Sequence, residues 1–127
     1  MRFVADFHIH SKYSHATSKY MDLLALAQWG QLKGIMMMGS GDFTHPKWQQ
    51  ELRSQLQEAE PGLFELKSEF SQIVASRVYD SCKNMQRFVL TAEVSTIFKR
   101  NGRCYRTHSL ILAPTFDAVQ KISQDLA

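Results

Sequence analysis

The chain has 127 residues, of which 44% are hydrophobic and 21% charged, and it carries a formal net charge of +3. These values fit a single globular domain over residues 1–127, and they argue against a disordered or fibrous chain. There is no bilayer-length apolar run, no secretory pattern and no C-x-x-C pair, so we expect a cytoplasmic, reduced protein without a membrane partner.

The chain opens with an apolar run that leads into two histidines. Arg2–Phe7 is predicted to be a strand, and alternate side chains of an extended chain share a face. Asp6, His8 and His10 therefore point the same way at the end of this strand. Two imidazoles and a carboxylate can hold a divalent metal, although two histidines bonded to the backbone would fit the same pattern.

A loop, a helix and a second strand follow. Ser11–Tyr20 is polar and turn-rich, which predicts a loop, and Asp22–Lys33 has the apolar stripe of an amphipathic helix. Ser18 is the expected N-cap of this helix and Gly34 suits its exit. Ile35–Met38 is a short apolar run that predicts a buried strand.

A glycine-rich loop comes next and carries two further candidate ligands. It follows the second predicted strand and contains Asp42 and His45. Asp42 could equally make a local turn hydrogen bond. Lys47–Gln57 is predicted to be a polar, amphipathic helix, and Trp48 at its start fits the core better than a surface for stacking bases.

The middle of the chain has the weakest secondary-structure pattern. Glu60-Pro61-Gly62 predicts a turn and Leu63–Lys67 a short strand. Ser68–Met85 could be helical, but it shows no convincing core-facing stripe.

The last third predicts a strand, a hairpin and a closing helix. Arg87–Ser95 alternates as a strand, and Asn101-Gly102 is a hairpin signal that joins Thr96–Arg100 to Arg103–Leu112. Asp117–Leu126 is predicted to be a helix. The order of elements indicates an α/β fold with an inserted β-hairpin.

Two further candidate ligands, Glu93 and His108, lie on predicted strands of this fold. Functional groups of α/β proteins cluster at the carboxyl ends of strands. Glu93 lies near the end of one strand, where an isolated carboxylate needs a partner, either a metal or a basic side chain. His108 lies within the following strand, where a histidine that only satisfies its own hydrogen bonds is the alternative.

Together these blocks resemble the PHP family, named for polymerase and histidinol phosphatase domains, and within it the endonuclease Q group. The segments that carry the likeness are Asp6-Phe7-His8-Ile9-His10-Ser11, Gly41-Asp42-Phe43-Thr44-His45, Ala92-Glu93-Val94 and Thr107-His108-Ser109-Leu110. The resemblance implies an irregular (β/α)7 barrel with a multinuclear metal centre. Because the family supplies further ligands downstream, the chain would be the N-terminal portion of such a barrel.

The resemblance also implies roles for individual residues. It favours metal ligation by His8, His10, His45, Glu93 and His108 and catalytic roles for Glu93 and Asp42, with Asp6, His15 and Asp42 as further ligands or supporting groups. Two or three divalent metals, Zn²⁺, Mn²⁺ or Mg²⁺, are expected in the complete domain. Histidine-rich ligation suits Zn²⁺ or Mn²⁺ better than Mg²⁺.

The implied activity is that of a metal-dependent DNA-repair endonuclease that nicks 5′ of deaminated bases such as hypoxanthine and uracil. The alternatives are a small-molecule phosphomonoesterase of the histidinol-phosphatase type and an inactive, metal-binding truncated module. Four cations near the ligand loops are candidate contacts to the phosphates of damaged duplex or single-stranded DNA: Lys12, Lys19, Lys47 and Arg53. Each could also be an ordinary solvated charge. Self-association of an incomplete barrel is a further expectation.

Overall fold

A computed structural model describes all residues from 1 to 127 and shows six strands and four α-helices. In chain order these are β1 (Val4–Asp6), α1 (Leu23–Leu32), β2 (Ile35–Gly39), α2 (Pro46–Gln55), β3 (Leu56–Glu60), β4 (Leu63–Leu66), α3 (Ser68–Ala75), β5 (Arg87–Arg100), β6 (Arg103–Ala113) and α4 (Phe116–Leu126). A single 3₁₀ turn covers Asp80–Cys82. The α/β class is therefore confirmed.

The six strands form one mixed sheet. Its order is β1-β2-β5-β4-β3, and β6 pairs with β5 outside this path. Strands β1, β2 and β5 are parallel, whereas β3, β4 and β6 run antiparallel to their neighbours. The sheet is open, with β1 and β3 at the two ends of the order, so these residues do not confirm the predicted barrel.

Helix α1 buries the stripe that the sequence predicts. Its buried residues are Leu23, Leu26, Ala27 and Gly30. The predicted cap is wrong, because the side chain of Asp22, not Ser18, accepts a hydrogen bond from the Ala25 N–H at 2.8 Å. A carboxylate at this position also interacts favourably with the positive end of the helix.

The second helix ends earlier than its pattern indicates. It stops at Gln55, and the chain turns directly into β3, a strand that the sequence analysis missed because its exposed polar residues continue the helical composition. Trp48 is a core residue as predicted: it is fully buried, and its indole N–H donates to the carbonyl oxygens of Ser40 at 3.2 Å and Gly41 at 2.9 Å.

The last two strands form a long hairpin. The predicted strands on either side of Ser95 are one continuous 14-residue strand, β5, which pairs with β6 from Leu90 to Arg100. Asn101 and Gly102 both have positive φ at the turn, as the sequence predicts. The inner half of β5 is buried, whereas its outer half and most of β6 are exposed.

The segment 68–85 and the two cysteines have simple structural descriptions. The segment 68–85 contains α3, whose only buried residue is Val74, which explains the absence of an apolar stripe. Cys82 and Cys104 are free thiols. None of the helices combines the length and the apolar character that crossing a membrane requires.

Candidate metal centre

Three neighbouring parallel strands run toward the same edge of the sheet, where β1 and β2 end and β5 continues into the hairpin. Strand β1 ends just before His8 and His10, and β2 ends at Gly39, just before Asp42. Gly39 lies beside Val89 of β5, so Glu93 stands four residues beyond this last paired position. The strand order thus brings together side chains that are up to 85 positions apart in the sequence.

Glu93 is the centre of the resulting cluster. Its Oε2 lies 2.6 Å from His8 Nε2 and 3.0 Å from His10 Nε2, and its Oε1 lies 2.8 Å from His108 Nδ1. His108 is opposite Ser95, which shares a ribbon face with Glu93, so the contact is a diagonal cross-strand pair. Three imidazoles therefore surround one carboxylate.

Asp42 supports this cluster from behind His10. Its Oδ1 lies 3.2 Å from His10 Nδ1, and its Oδ2 accepts hydrogen bonds from both the N–H and the hydroxyl of Ser11, each at 2.7 Å. A carboxylate that accepts the Nδ1 proton leaves Nε2 free to coordinate a metal. The contact holds the orientation of the ring and favours the tautomer that ligation through Nε2 needs.

The loop that carries Asp42 is held against the histidine segment by close backbone packing. A Cβ atom on Gly41 would lie 2.3 Å from the carbonyl oxygen of Ile9, and Gly41 has a φ of +66°. The Gly41 N–H donates to the buried Thr91 hydroxyl at 2.9 Å. Asp42 itself has a φ of 48°, a conformation that aspartate tolerates better than most residues.

The charge state of Glu93 follows from these contacts. The hydrogen bond with His8 is the main cause that lowers the pKa of the Glu93 carboxyl, and the proximity of His8, His10 and His108 lowers it further. Partial burial raises the pKa but does not offset these effects. Glu93 is therefore a carboxylate at neutral pH, which suits a ligand or an acceptor and not a general acid.

The donor set fits a divalent transition metal. Ligand atoms of His8, His10 and Glu93 all lie within 4.8 Å of one another. His10 has a carboxylate oxygen close to each ring nitrogen, whereas a neutral imidazole has only one N–H to donate. A cation between Nε2 and Glu93 would satisfy both groups. Two imidazoles and a carboxylate are a set typical of Zn²⁺ or Mn²⁺.

The other candidate ligands lie apart from this triad. The His45 ring stacks on Tyr13 with centroids 4.2 Å apart, and its Nδ1 is buried without a hydrogen-bond partner. Asp6 accepts from the backbone N–H of His8 at 3.2 Å and so positions that residue through the main chain. His15 is exposed in its loop.

Two of the four candidate DNA-binding cations make internal contacts. Lys12 forms an ion pair with Glu51 at 3.0 Å, and this bond is the main cause that raises the pKa of Lys12. Arg53 lies over the Phe116 ring and donates to its backbone carbonyl at 3.2 Å. Lys19 and Lys47 are exposed.

Two residues of the site were not proposed from the sequence as functional. Ser11 is fully buried and holds Asp42, and Tyr13 packs on His45 and donates to Glu51. Ser11 directly follows the two histidines, which is the signal that could have indicated it. No sequence signal points to Tyr13, because its partners are distant in the chain.

Comparisons with known proteins place this fold beside lesion-specific nucleases. The chain matches the crystal structure of PfuEndoQ, a lesion-specific endonuclease from Pyrococcus furiosus, with a TM-score of 0.68 and 29% identity over 95% of its own length and 24% of that chain. It matches a complex of endonuclease Q with a 27-mer duplex containing an abasic lesion with a TM-score of 0.68 and 30% identity, over 95% of its own length and 25% of that chain.

One curated sequence is similar over a shorter stretch. An uncharacterized protein of Methanocaldococcus jannaschii is 44% identical over 48 residues, which are 38% of this chain and 6% of that protein. No protein-family model matches the chain. The chain thus has an endonuclease Q-like fold and spans about a quarter of the solved endonuclease Q chains.

Proposed function

We propose that this chain supplies ligands to the catalytic metal centre of a DNA-repair endonuclease that is similar to endonuclease Q and of the PHP type. The observation that carries the proposal is the convergence of ligand atoms of His8, His10 and Glu93 within 4.8 Å, where the segment that follows β1 meets the middle of β5. The similarity to two endonuclease Q structures supports it. In this proposal the open sheet is part of a PHP barrel.

The proposed roles follow from the contacts. His8, His10 and Glu93 would hold the metal, with His108 as a further ligand through its contact to Glu93. Asp42 would orient His10. A bound divalent metal supplies an activated water and neutralises phosphate charge, which is the chemistry of phosphodiester hydrolysis.

His45, Asp6 and His15 remain candidate ligands or supporting groups in this proposal. The buried, unpartnered Nδ1 of His45 is the observation that keeps it a candidate. The proposed substrate is DNA, damaged duplex or single-stranded, with cleavage 5′ of a deaminated base. Lys12, Lys19, Lys47 and Arg53 are the proposed phosphate contacts near the ligand loops.

The test is a nicking assay on labelled DNA duplexes that contain one hypoxanthine, one uracil or one abasic site, with Mn²⁺, Zn²⁺ or Mg²⁺. Glu93→Gln keeps the shape of the side chain but removes its charge. Glu69→Gln is a matched control, because Glu69 is exposed on α3. We expect metal-dependent nicking by the parent chain and by Glu69→Gln, reduced at least about 100-fold in Glu93→Gln.

Three results would contradict the proposal. Nicking that survives in Glu93→Gln would exclude this cluster as the catalytic centre. Hydrolysis of p-nitrophenyl phosphate without DNA nicking would favour a small-molecule phosphomonoesterase. A folded chain that binds metal, measured by calorimetry, but cleaves neither substrate would favour an inactive metal-binding module.

A further inference from the structure

The outer part of the β5–β6 hairpin is a strongly basic, solvent-exposed ribbon. We call residues 95–109 the ribbon arm; it contains four cations, Lys99, Arg100, Arg103 and Arg106, and no acidic residue. The whole chain has a net charge of only +3, so these four side chains account for its entire positive excess. A charge concentrated on one projecting element indicates an anionic partner.

The cations of the ribbon arm have no acidic partners within the protein. The ion pairs of lysine and arginine elsewhere involve Lys12, Lys83 and Arg87. All four arm cations are exposed. They can therefore contact phosphates without giving up an internal contact, which Lys12 and Arg53 would have to do.

Strand register divides these cations between the two faces of the arm. Directly opposed residues share a face, and alternate residues along a strand do so as well. Ile97 is opposite Arg106 and Lys99 is opposite Cys104, so both cations share the face of Glu93. Arg100 and Arg103 oppose each other on the other face, together with the stacked rings of Phe98 and Tyr105.

The basic face is continuous with the candidate metal centre. Arg106 is two residues from His108, and Lys99 is six residues from Glu93. At about 3.3 Å per residue, these steps are about 7 Å and 20 Å along the strands. Each strand of duplex DNA has a phosphate about every 3.4 Å of helix axis, so Arg106 lies about two and Lys99 about six phosphate positions from one held at the metal centre.

We propose that the ribbon arm binds the DNA backbone on one side of the cleavage site, with Arg106 and Lys99 holding phosphates about two and about six positions from the one at the Glu93 cluster. A two-stranded ribbon is narrow enough to follow a DNA groove. This inference rests on the proposed function, since it takes DNA as the substrate of the same site. The arm positions the substrate and is not part of the metal centre.

The experiment measures the salt dependence of DNA affinity by fluorescence anisotropy. The probe is a fluorescein-labelled duplex with one abasic site, without added metal, so that binding is measured apart from cleavage. We expect Arg106→Gln and Lys99→Gln each to reduce the slope of log K against log salt by about one. Arg103→Gln, on the opposite face of the arm, and Lys121→Gln on α4 remove the same charge and should leave the slope unchanged.

The outcomes separate this inference from the proposed function. A parent chain that does not bind the duplex, or equal slope changes in Arg106→Gln and Arg103→Gln, would overturn the assignment of the basic face. Intact nicking with unchanged slopes in both Arg106→Gln and Lys99→Gln would overturn the proposed DNA contact of the ribbon arm and leave the proposed endonuclease function standing. Reduced slopes in these two variants, together with a parent chain that does not nick DNA, would support the DNA contact of the ribbon arm and contradict the proposed endonuclease function. Circular dichroism checks that each variant is folded.

Discussion

At the residue scale, Glu93 organises the candidate site. It is the common partner of His8, His10 and His108, which come from two separate segments of the chain. A partly buried carboxylate is costly without compensation, and three imidazoles provide it. The sequence indicates that Glu93 needs a partner, and its immediate partners in the structure are histidines and not a lysine or arginine.

A substitution at Ser11 tests whether its hydrogen bond to Asp42 helps to hold His10 in place. Removing its hydroxyl in Ser11→Ala takes a charge-assisted hydrogen bond from Asp42, so we expect the free energy of unfolding to fall by about 1 to 3 kcal/mol. If the site binds Zn²⁺ as proposed, the affinity should fall about 10- to 100-fold. Urea denaturation and metal titration measure the two effects.

Ser14→Ala is the matched control in the same loop. The Ser14 side chain is partly exposed and makes no hydrogen bond, so this variant should change neither quantity. Equal losses of stability in the two variants would show that the Ser11 hydroxyl is unimportant for the site.

At the element scale, the loop from Ser40 to Phe43 joins the end of β2 to the candidate site. Its Ser40 N–H donates to the Val89 carbonyl at 2.8 Å, and its Phe43 N–H donates to the Thr91 carbonyl at 3.2 Å. These bonds extend the pairing with β5 beyond the end of β2. They hold the backbone on both sides of Asp42 beside the strand that carries Glu93.

Gly41→Ala tests whether this close approach is required. Gly34→Ala is the control, because Gly34 also has a positive φ, +74°, but has no atom within 4 Å of an added Cβ. We expect Gly34→Ala to lower the free energy of unfolding by about 1 to 2 kcal/mol, because alanine is strained at this positive φ. Gly41→Ala should lower the free energy of unfolding by about 1 to 3 kcal/mol more than Gly34→Ala, because its Cβ would clash with the Ile9 backbone.

Urea denaturation of both glycine variants measures this difference. Equal costs would show that the loop can move away from Ile9 without penalty. Such a loop would not hold Asp42 firmly against His10.

At the scale of the whole molecule, the ion pairs of Arg87 tie the antiparallel half of the sheet to its parallel half. The Arg87 guanidinium of β5 donates to both Glu60 oxygens of β3, at 2.7 and 2.9 Å, and also lies 3.4 Å from Glu65 of β4. The hydrogen bond with Arg87 holds the pKa of the Glu60 carboxyl below its ordinary value.

This pair predicts a pH dependence of stability. Because the folded-state pKa of Glu60 is lowered, its contribution is present above the unfolded-state pKa and is lost as pH falls through the folded-state pKa. Glu60→Gln should therefore destabilise the protein at about pH 7, and the difference from the parent chain should shrink toward about pH 3. Urea denaturation across this range measures the change.

Glu58→Gln is the control, since Glu58 is exposed on the same strand and has no ion pair. Its difference from the parent chain should stay small at every pH. A constant difference for Glu60→Gln would contradict the proposed role of the Arg87 pair.

The edges of the sheet bear on the expected self-association. Strand β1 lies at one end of the order, and its first residue, Val4, and the preceding Phe3 are 57% and 51% exposed. An exposed apolar edge is a site where another strand can pair. Self-association therefore stays a prediction, with β1 as the edge to examine.

Local patterns in the sequence determined much of this protein. Three features depend only on neighbours in the chain: the apolar stripe of α1, the turn at Asn101-Gly102, and the first strand that leads into His8 and His10. Periodicity and turn chemistry were therefore enough to predict them. The short strand β3 was missed because polar composition alone does not distinguish a helix end from an exposed strand. The N-cap of α1 was assigned to Ser18 and not to Asp22 because both residue types cap helices.

Only the tertiary structure decided which ligands meet. Parallel pairing of β1, β2 and β5 brings Glu93 to His8 and His10, and hairpin register adds His108, whereas His45 turns to Tyr13. These contacts depend on strand order and register between distant segments, which no local pattern contains. The same register places Arg106 on the face of Glu93 and Arg103 on the other.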